Sequence, residues 1–482
     1  MAVNVAPGFD LQPSGQQVAL ASNYITNFDF LNQYLPDTYE KEFERYGNRT
    51  VASFLRMVGA EMPSNSDMIK WAEQGRLHTK YTGCVATGFA AGVANATWLI
   101  PAAQVNPGAP ASTAPANGFT AIRVGQTVMI SDETALSVLS NKAIVTNVAA
   151  AAVAGTYAVT VAYYDQGGQT MGAAALCSIF IYGSEFQKGT NGMQGSIEAQ
   201  DFIFDNNPII IKDTYQVNGS DMAQIGWVEI ATENGGTGYL WYLKSEHETR
   251  LRFEDYLETA MVEAVPATVG GVGSGAATGG FMGSDGIFYV VNTRGNVWSG
   301  GNPVALAGFD SVIQRLDKQG AIEENVIFCN RQFSFDIDDM LAAQNSYGAG
   351  GTSYGLFDND EEMALNLGFT GFRRGYDFYK SDWKYLNDPT MRGGLTGGAI
   401  NGLMVPAGST TVYDQILGKN AKRPFLHVRY RASETEDRRY KTWITGSAGG
   451  ARTSDLDAMT VNFLSERAVC TLGANNFFLF RD

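Results

Sequence analysis

Three histidines, four cysteines, a glycine-rich loop, two acidic clusters and one basic run are the parts of this 482-residue chain that could do chemistry. His247 stands in HETRL, which lacks the second histidine of the zinc-hydrolase H-E-x-x-H arrangement; it is expected to pack on the apolar face of a helix. His427 alternates with Phe425 and Arg429 in a strand, and His78 lies in an extended segment. No G-x-S-x-G elbow accompanies them, so no Ser-His-Asp arrangement is supported and no catalytic residue is assigned. Gly271, Gly273 and Ala276 fit a relaxed dinucleotide fingerprint, but they follow a helix and a proline instead of a strand. A helix N-terminus cannot then meet a pyrophosphate, so the stretch reads as a loop and no cofactor is expected.

The acidic clusters DIDD (336–339) and DNDEE (358–362) lack the spacing that wraps a calcium ion, and no metal site is assigned. Asp336 and Asp338 read instead as acids at a helix N-terminus, where the dipole favours them. Cys84, Cys177, Cys329 and Cys470 are far apart and form no CxxC, which suits buried reduced thiols. The basic run KRPFLHVRYRASETEDRRYKTW holds Lys422, Arg423, Arg429, Arg431, Arg438, Arg439 and Lys441 among Phe425, Tyr430, Tyr440 and Trp443. Alone it resembles a nucleic-acid contact. Glu434, Glu436 and Asp437 sit at its turn, however, and the whole chain carries a net charge of −15. A salt-bridge lattice between subunits is the better reading, with Arg429, Arg431, Arg438, Arg439 and Lys441 as interface candidates.

Residues 1–35 read as a polar, extended arm with scattered aromatics, and no basic-then-apolar signal segment opens the chain. Helices are expected at TYEKEFERY and RTVASFLRMVG, capped by Asp37 and Asn48, and a third at PSNSDMIKWAEQG, beginning at Ser64 or Ser66. Between Val85 and Phe180 the only charges are Arg123, Asp132, Glu133, Lys142 and Asp165. Four strand-like runs there (AIRVGQTVMI, KAIVTNV, YAVTVAYY, CSIFIYG) predict a small β-barrel or β-sandwich inserted into the chain. The uncharged span 143–164 contains Thr146, Asn147 and Thr160 and alternates, so it reads as strands and no membrane span is expected. Segments on either side of the insertion look like two arms of a long hairpin.

From Tyr239 to Ala264 a helix runs uninterrupted, a rod of about 39 Å, with Leu240, Leu243, His247, Leu251, Leu257 and Met261 on one broad face. Pro266 and the glycines after it stop it. Beyond come GIFYVVNT, read as a strand; DSVIQRLDKQG, a helix capped by Asp310; NVIFCN, a buried strand; and SFDIDDMLAAQN, a helix. Strands at RPFLHVRYRAS, RRYKTWITGS, DAMTVNFLSE and NNFFLF close the chain. The mixture is α+β.

In that order of parts the chain resembles the major capsid protein of tailed bacteriophages, the fold named for phage Hong Kong ninety-seven. The phrases PSNSDMIKWAEQGRLH, EFQKGTNGMQGS and RRYKTWITGSAGGARTSDLDAMTVNFLSERAVCTLGANNFFLF are similar to those of crAss-like phages. The resemblance implies an N-terminal arm (1–35) and short helices of a peripheral domain (36–76). It then implies an extended loop (77–235) carrying the β-rich insertion at about 85–190, and a spine helix with more of the peripheral domain (236–300). An axial α/β domain (301–420) and strands returning to the peripheral domain (421–482) complete it. It further implies a non-enzymatic protein that assembles with itself as hexamers and pentamers into an icosahedral shell around double-stranded DNA. Portal and auxiliary capsid proteins would be its other partners, DNA would lie near without specific contact, and no membrane is involved. Its location would be the virion capsid, after assembly in the host cytoplasm. Some relatives crosslink a lysine to an asparagine; Lys80 and Lys188 are available in the loop, and Lys188 joins the interface candidates without a bond being predicted. The competing readings are an S-layer-like surface protein and, further off, a hydrolase.

Overall fold

The computed structural model describes residues 61–75, 78–87, 94–101, 104, 120–133, 141–150, 156–165, 176–193, 201–223, 229–231, 237–268, 271, 280–320, 322–345, 371–395, 398–414, 419–450 and 452–482. The arm, the helices expected near residues 38–58, the DNDEE cluster and most of the glycine-rich loop lie outside these. The chain divides into two compact units; the described residues within 215–252 and 444–461 form the smaller one, and the remainder the larger.

In the larger unit, residues 80–184 close a six-stranded barrel. Its strands are β3 (Lys80–Thr87), β4 (Asn95–Ile100), β5 (Gln126–Asp132), β6 (Asn141–Ala150), β7 (Tyr157–Tyr163) and β8 (Leu176–Ser184), in the order β3-β4-β7-β6-β5-β8. Alternation decides what lines it: Tyr81, Cys84, Ala96, Trp98, Ile100, Val128, Ile130, Val145, Val159, Val161, Cys177 and Ile179 point inward and are buried. Trp98 is fully buried, and its indole N–H donates to the Tyr163 hydroxyl at 3.0 Å. Register shifts between Tyr81 and Cys84, Thr127 and Val128, and Val145 and Asn147 supply the bulges that curl a sheet until it closes. At the first bulge Gly83 adopts φ 65°, and its N–H donates to the Glu133 carboxylate at 2.9 Å. The Ser178 hydroxyl donates to the same oxygen at 2.5 Å and holds Glu133 below the ordinary carboxylate range. The barrel thus begins at Lys80, so β3 is a barrel strand and not part of the preceding arm.

Two strands connect the barrel to the rest: β2 (Ile69–Gln74) runs antiparallel to β9 (Asp201–Asn206), with Trp71 opposite Phe204. Here the third expected helix is wrong. Pro63 and Ser64 close β1 (Glu61–Ser64) and IKWAEQ is β2, because Ile69, Trp71 and Glu73 alternate toward one side and find a partner strand some 130 residues away. A five-stranded sheet has the path β1-β20-β22-β10, with β21 also on β22; the strands are β10 (Ile209–Asn218), β20 (Leu426–Arg431), β21 (Lys441–Gly446) and β22 (Ala458–Thr471).

The second large sheet is mixed and has the order β13-β23-β17-β14-β16-β15. Its strands are β13 (Asn296–Ser299), β14 (Glu324–Cys329), β15 (Gly371–Arg374), β16 (Tyr376–Asp382), β17 (Ile400–Pro406) and β23 (Phe478–Arg481). Three helices belong to it: α3 (Ile287–Arg294), α4 (Leu306–Gln319) and α5 (Arg331–Asn345). On one face α4 and α5 bury Phe309, Val312, Leu316, Phe333, Ile337 and Met340 against Ile327, Met404, Phe478 and Phe480. On the other, Phe328, Leu403, Val405 and Leu479 join α3, Leu426, Val428, Val469 and the end of α2 (Leu240–Glu263) in one core. The last strand, β23, lies in this sheet between β13 and β17.

Further corrections concern helices. GIFYVVNT is the helix α3: Ile287, Phe288, Val290 and Val291 all bury at helical spacing, and packing overrides their strand propensity. Helix α4 starts a turn before Asp310, at Leu306; Asp310 pairs with Arg374, which keeps its carboxyl low. Asp336 and Asp338 lie past the first turn of α5. Asp336 accepts from Asn302 at 2.6 Å, and Asp338 pairs with Lys380 at 2.5 Å. On α2, which matches the expected rod within a residue at each end, Thr249, Phe253, Leu257, Glu258, Met261 and Val262 are buried while His247 is exposed. Among those residues Phe253 meets Tyr440 and Phe463 at 5.4 and 5.7 Å. At its end Glu263 accepts from Tyr385 at 2.8 Å and Arg392 at 2.7 Å.

The smaller unit contains α1 (Gly219–Ala223) and the hairpin of β11 (Glu229–Ala231) and β12 (Thr237–Tyr239). The Gly219 N–H donates to the Asp457 carbonyl at 3.1 Å, and Gly446, at φ 127°, lies where a Cβ would meet the Ala458 carbonyl. One further hairpin, β18 (Ser409–Asp414) with β19 (Lys419–Pro424), belongs to the larger unit.

Because Trp98 is fully buried in the barrel and donates to the Tyr163 hydroxyl there, Trp98→Ala should cost about 3–5 kcal/mol of barrel stability. Pulse proteolysis in urea should report cleavage within residues 80–184 at lower urea than in the parent chain.

Candidate assembly site at the neck of the barrel

The neck is where β2 and β9 leave the core, and a two-stranded ribbon is marginal without support. Three attachments hold it. Ile69 buries against Ala468 and Cys470, with Trp71 packed beside them. Glu73 accepts from the Trp71 indole at 3.0 Å and from the Gly473 N–H at 2.9 Å. Asn206, 4% exposed, donates to the carbonyls of Val469 (2.7 Å) and Asp285 (3.1 Å). Its side-chain oxygen accepts from the Ser284 hydroxyl and from the N–H groups of Asp285 and Asn207, all within 2.9 Å.

A cation completes the neck. The Arg294 guanidinium, at the end of α3, lies 4.2 Å from the Phe204 ring centre and 5.8 Å from that of Trp71. Two aromatic faces attract it, an interaction stronger when desolvated. Burial lowers the Arg294 pKa, while Asp285, Glu73 and Asp205 act to raise it. Burial likewise raises Asp285, against the pull of Arg294 and with the help of Asp205.

Next to β1 lies the basic run. Glu61 receives Arg439 and, at 3.4 Å, Arg467; Glu466 receives Arg438 at 3.0 Å and Arg431 at 3.5 Å. Arg431 also meets Asp67, and Lys441 meets Glu436 at 2.8 Å. Arg429 donates to the Met62 sulfur at 3.9 Å, and Arg467, whose pKa burial lowers, donates to the Arg439 carbonyl at 3.0 Å. The acids that answer these cations come from the same chain, and the Glu61 and Met62 contacts tie β1 to β20, to β22 and to the segment before β21. Exposed members contribute about 0–1 kcal/mol each; buried Arg467 is the costly one to strand. Lys188 stands apart in an exposed stretch after β8. His427 is buried in β20, its Nδ1 3.1 Å from the Pro424 carbonyl, and the side chains of Lys422 and Arg423 lie outside the described residues.

Sequence reasoning missed Trp71 and Glu73 because it took residues 63–75 for a helix, and Asn206 and Arg294 because their partners lie far along the chain. The alternation of Ile69, Trp71 and Glu73 was the available signal. Among the described residues, no group of three or more His, Cys, Asp or Glu is placed to hold a metal ion, and no helix is long and apolar enough to cross a membrane.

No protein-family model and no curated protein matches the chain. Solved structures do show likeness. One from Microbacterium phage Oxtober96 is 10% identical, with TM-score 0.36, over 94% of this chain and 97% of that one. The capsid structure of the cyanophage P-SCSP1u is 10% identical, with TM-score 0.33, over 62% and 80%. The holo-SrpI encapsulin complex of Synechococcus elongatus is 9% identical, with TM-score 0.30, over 60% and 77%.

A raised folded-state pKa means that Asp285 stabilises the fold best when protonated, a contribution present at low pH and lost as pH rises through the folded value. Asp285→Asn should therefore raise the urea midpoint at neutral pH, and the gain should vanish once pH falls below the ordinary carboxylate value of about 4.

Proposed function

We propose that this chain is a shell-forming structural protein, the major capsid protein of a tailed bacteriophage, most like those of crAss-like phages. The observation that carries the reading is the order of the elements. A two-stranded stem bearing an inserted barrel precedes one 24-residue helix; a mixed α/β sheet follows, strands of a second sheet come after it, and the last strand returns to the mixed sheet. The stem has two outer edges and leaves Ile203 70% and Phe202 43% exposed. Such a ribbon gains from lying on a neighbouring copy.

Copies would tile as hexamers and pentamers, each contact weak and their sum strong. Lys188, Arg429, Arg431, Arg438, Arg439 and Lys441 are the interface candidates, with the intrachain lattice holding the arginines in place. The net charge of −15 suits a wall that encloses DNA without gripping it. Portal and auxiliary capsid proteins are the other partners, and the protein resides in the virion after assembly in the host cytoplasm.

Negative-stain microscopy of the expressed chain should find shells, sheets or hexameric capsomers, and deletion of residues 1–30 should leave folded, soluble protein that forms none. A monodisperse monomer at high concentration, or normal particles from the deletion, would refute the reading or the arm's part in it respectively.

A further inference from the structure

Cys84 and Cys177 are set face to face across the β3–β8 ladder as Cα partners, and both are fully buried inside the barrel. The other two cysteines have no such neighbour: Cys329 stands opposite Asp382 and Gly402, and Cys470 opposite His427. Directly opposed residues of an antiparallel pair have Cα atoms about 4.5–5.5 Å apart, within the range of about 4.4–6.8 Å that a disulfide spans. Their Cβ separation of about 4.5–5.5 Å is slightly wide for the bond's usual range of about 3.5–4.5 Å. The ladder has slack to close that gap, since its register shifts between Tyr81 and Cys84 around the left-handed Gly83. β3 and β8 are also the first and last strands of the barrel, so their ladder is the seam by which it shuts.

We propose that Cys84 and Cys177 are a reversible disulfide site that locks the seam of the barrel when the protein meets an oxidant of the peroxide class. Peroxide converts one thiol to a sulfenic acid and releases water. The second sulfur displaces the hydroxyl, the S–S bond forms, and the hydroxide leaves with that thiol's proton as a second water. Two thiols and one peroxide thus give one disulfide and two waters, the peroxide taking up the two electrons the sulfurs lose. Burial pushes both thiols up to about 12, with Glu133 adding to the effect on Cys84 and Asp132 and Glu133 on Cys177. Thiolate is scarce in the shut barrel, and the reaction runs when the seam opens locally. The bond joins the strands by which the chain enters and leaves the barrel. In the chain-entropy account a crosslink over so long a span disfavours the unfolded barrel by roughly a thousandfold. None of this requires that the chain build shells.

The test incubates the full chain with hydrogen peroxide at about pH 8, alkylates it in denaturant without reductant, and digests it. Oxidation of Met282, which is 64% exposed, reports that oxidant was active. The expected result is label on Cys329 and Cys470 only. Peptides bearing Cys84 and Cys177 should run as one species that dithiothreitol separates, and barrel cleavage in pulse proteolysis should move to higher urea. Cys84→Ser and Cys177→Ser should each abolish the joined species and the shift. Alkylated Cys84 and Cys177 in chains whose Met282 is oxidised, sulfonate at either position, or a bond to Cys329 or Cys470 would each overturn it.

Discussion

One buried carboxamide governs how the two halves of the larger unit's architecture are joined. Asn206 ends β9, and its side chain satisfies the carbonyls of Val469 and Asp285 and the N–H groups of Asp285 and Asn207. Those groups belong to β22, to the turn before α3 and to the exit of the neck, so a single residue fixes three backbone paths at once. A buried polar group left without a partner costs about 1–3 kcal/mol, and here one truncation would strand several. No apolar residue can replace that function, because the partners are main-chain atoms whose positions the sheet has already set.

Around this knot, stability is unevenly distributed. The barrel has its own core, built from alternating residues of six strands, and the mixed sheet has cores on both faces. Among the described residues the neck between them has little: Ile69 against Ala468 and Cys470, and the Trp71–Phe204 pair with Arg294 laid over it. Polar and cation–aromatic contacts must therefore set its direction. They are directional where apolar burial is not, which suits a joint that has to aim a module. The Glu61 and Glu466 lattice plays the matching part for β1, the strand immediately before the neck.

Much of this was legible in the sequence wherever the deciding contacts are local. The long helix could be read because nothing interrupts it between Tyr239 and Pro266, and the barrel strands because Val159, Val161 and Tyr163 alternate with the small residues Ala158, Thr160 and Ala162. The α+β character follows from the same patterns. What could not be read depends on partners far along the chain. IKWAEQ contains good helix formers and becomes a strand only because Asp201–Asn206 comes to lie beside it. IFYVVNT has strand propensity and becomes a helix because Ile287, Phe288, Val290 and Val291 are buried at helical spacing. His247 was placed inward on one broad face with the leucines, yet the buried stripe of α2 runs through Thr249, Phe253 and Leu257, rotated away from it. The cations of the basic run were recognised, but Glu61, Glu466 and Asp67 could not be assigned to them, since two of these lie some 370 residues away.

The central physical claim is that the neck is held by Asn206 independently of the barrel's own core. Native-state hydrogen exchange on Asn206→Ala tests it most directly. The account predicts that β2 and β9 amides lose protection by tenfold or more, as loss of at least 1.4 kcal/mol requires, while β4 to β7 amides exchange as in the parent. Unchanged protection in β9, or equal loss throughout the barrel, would contradict it.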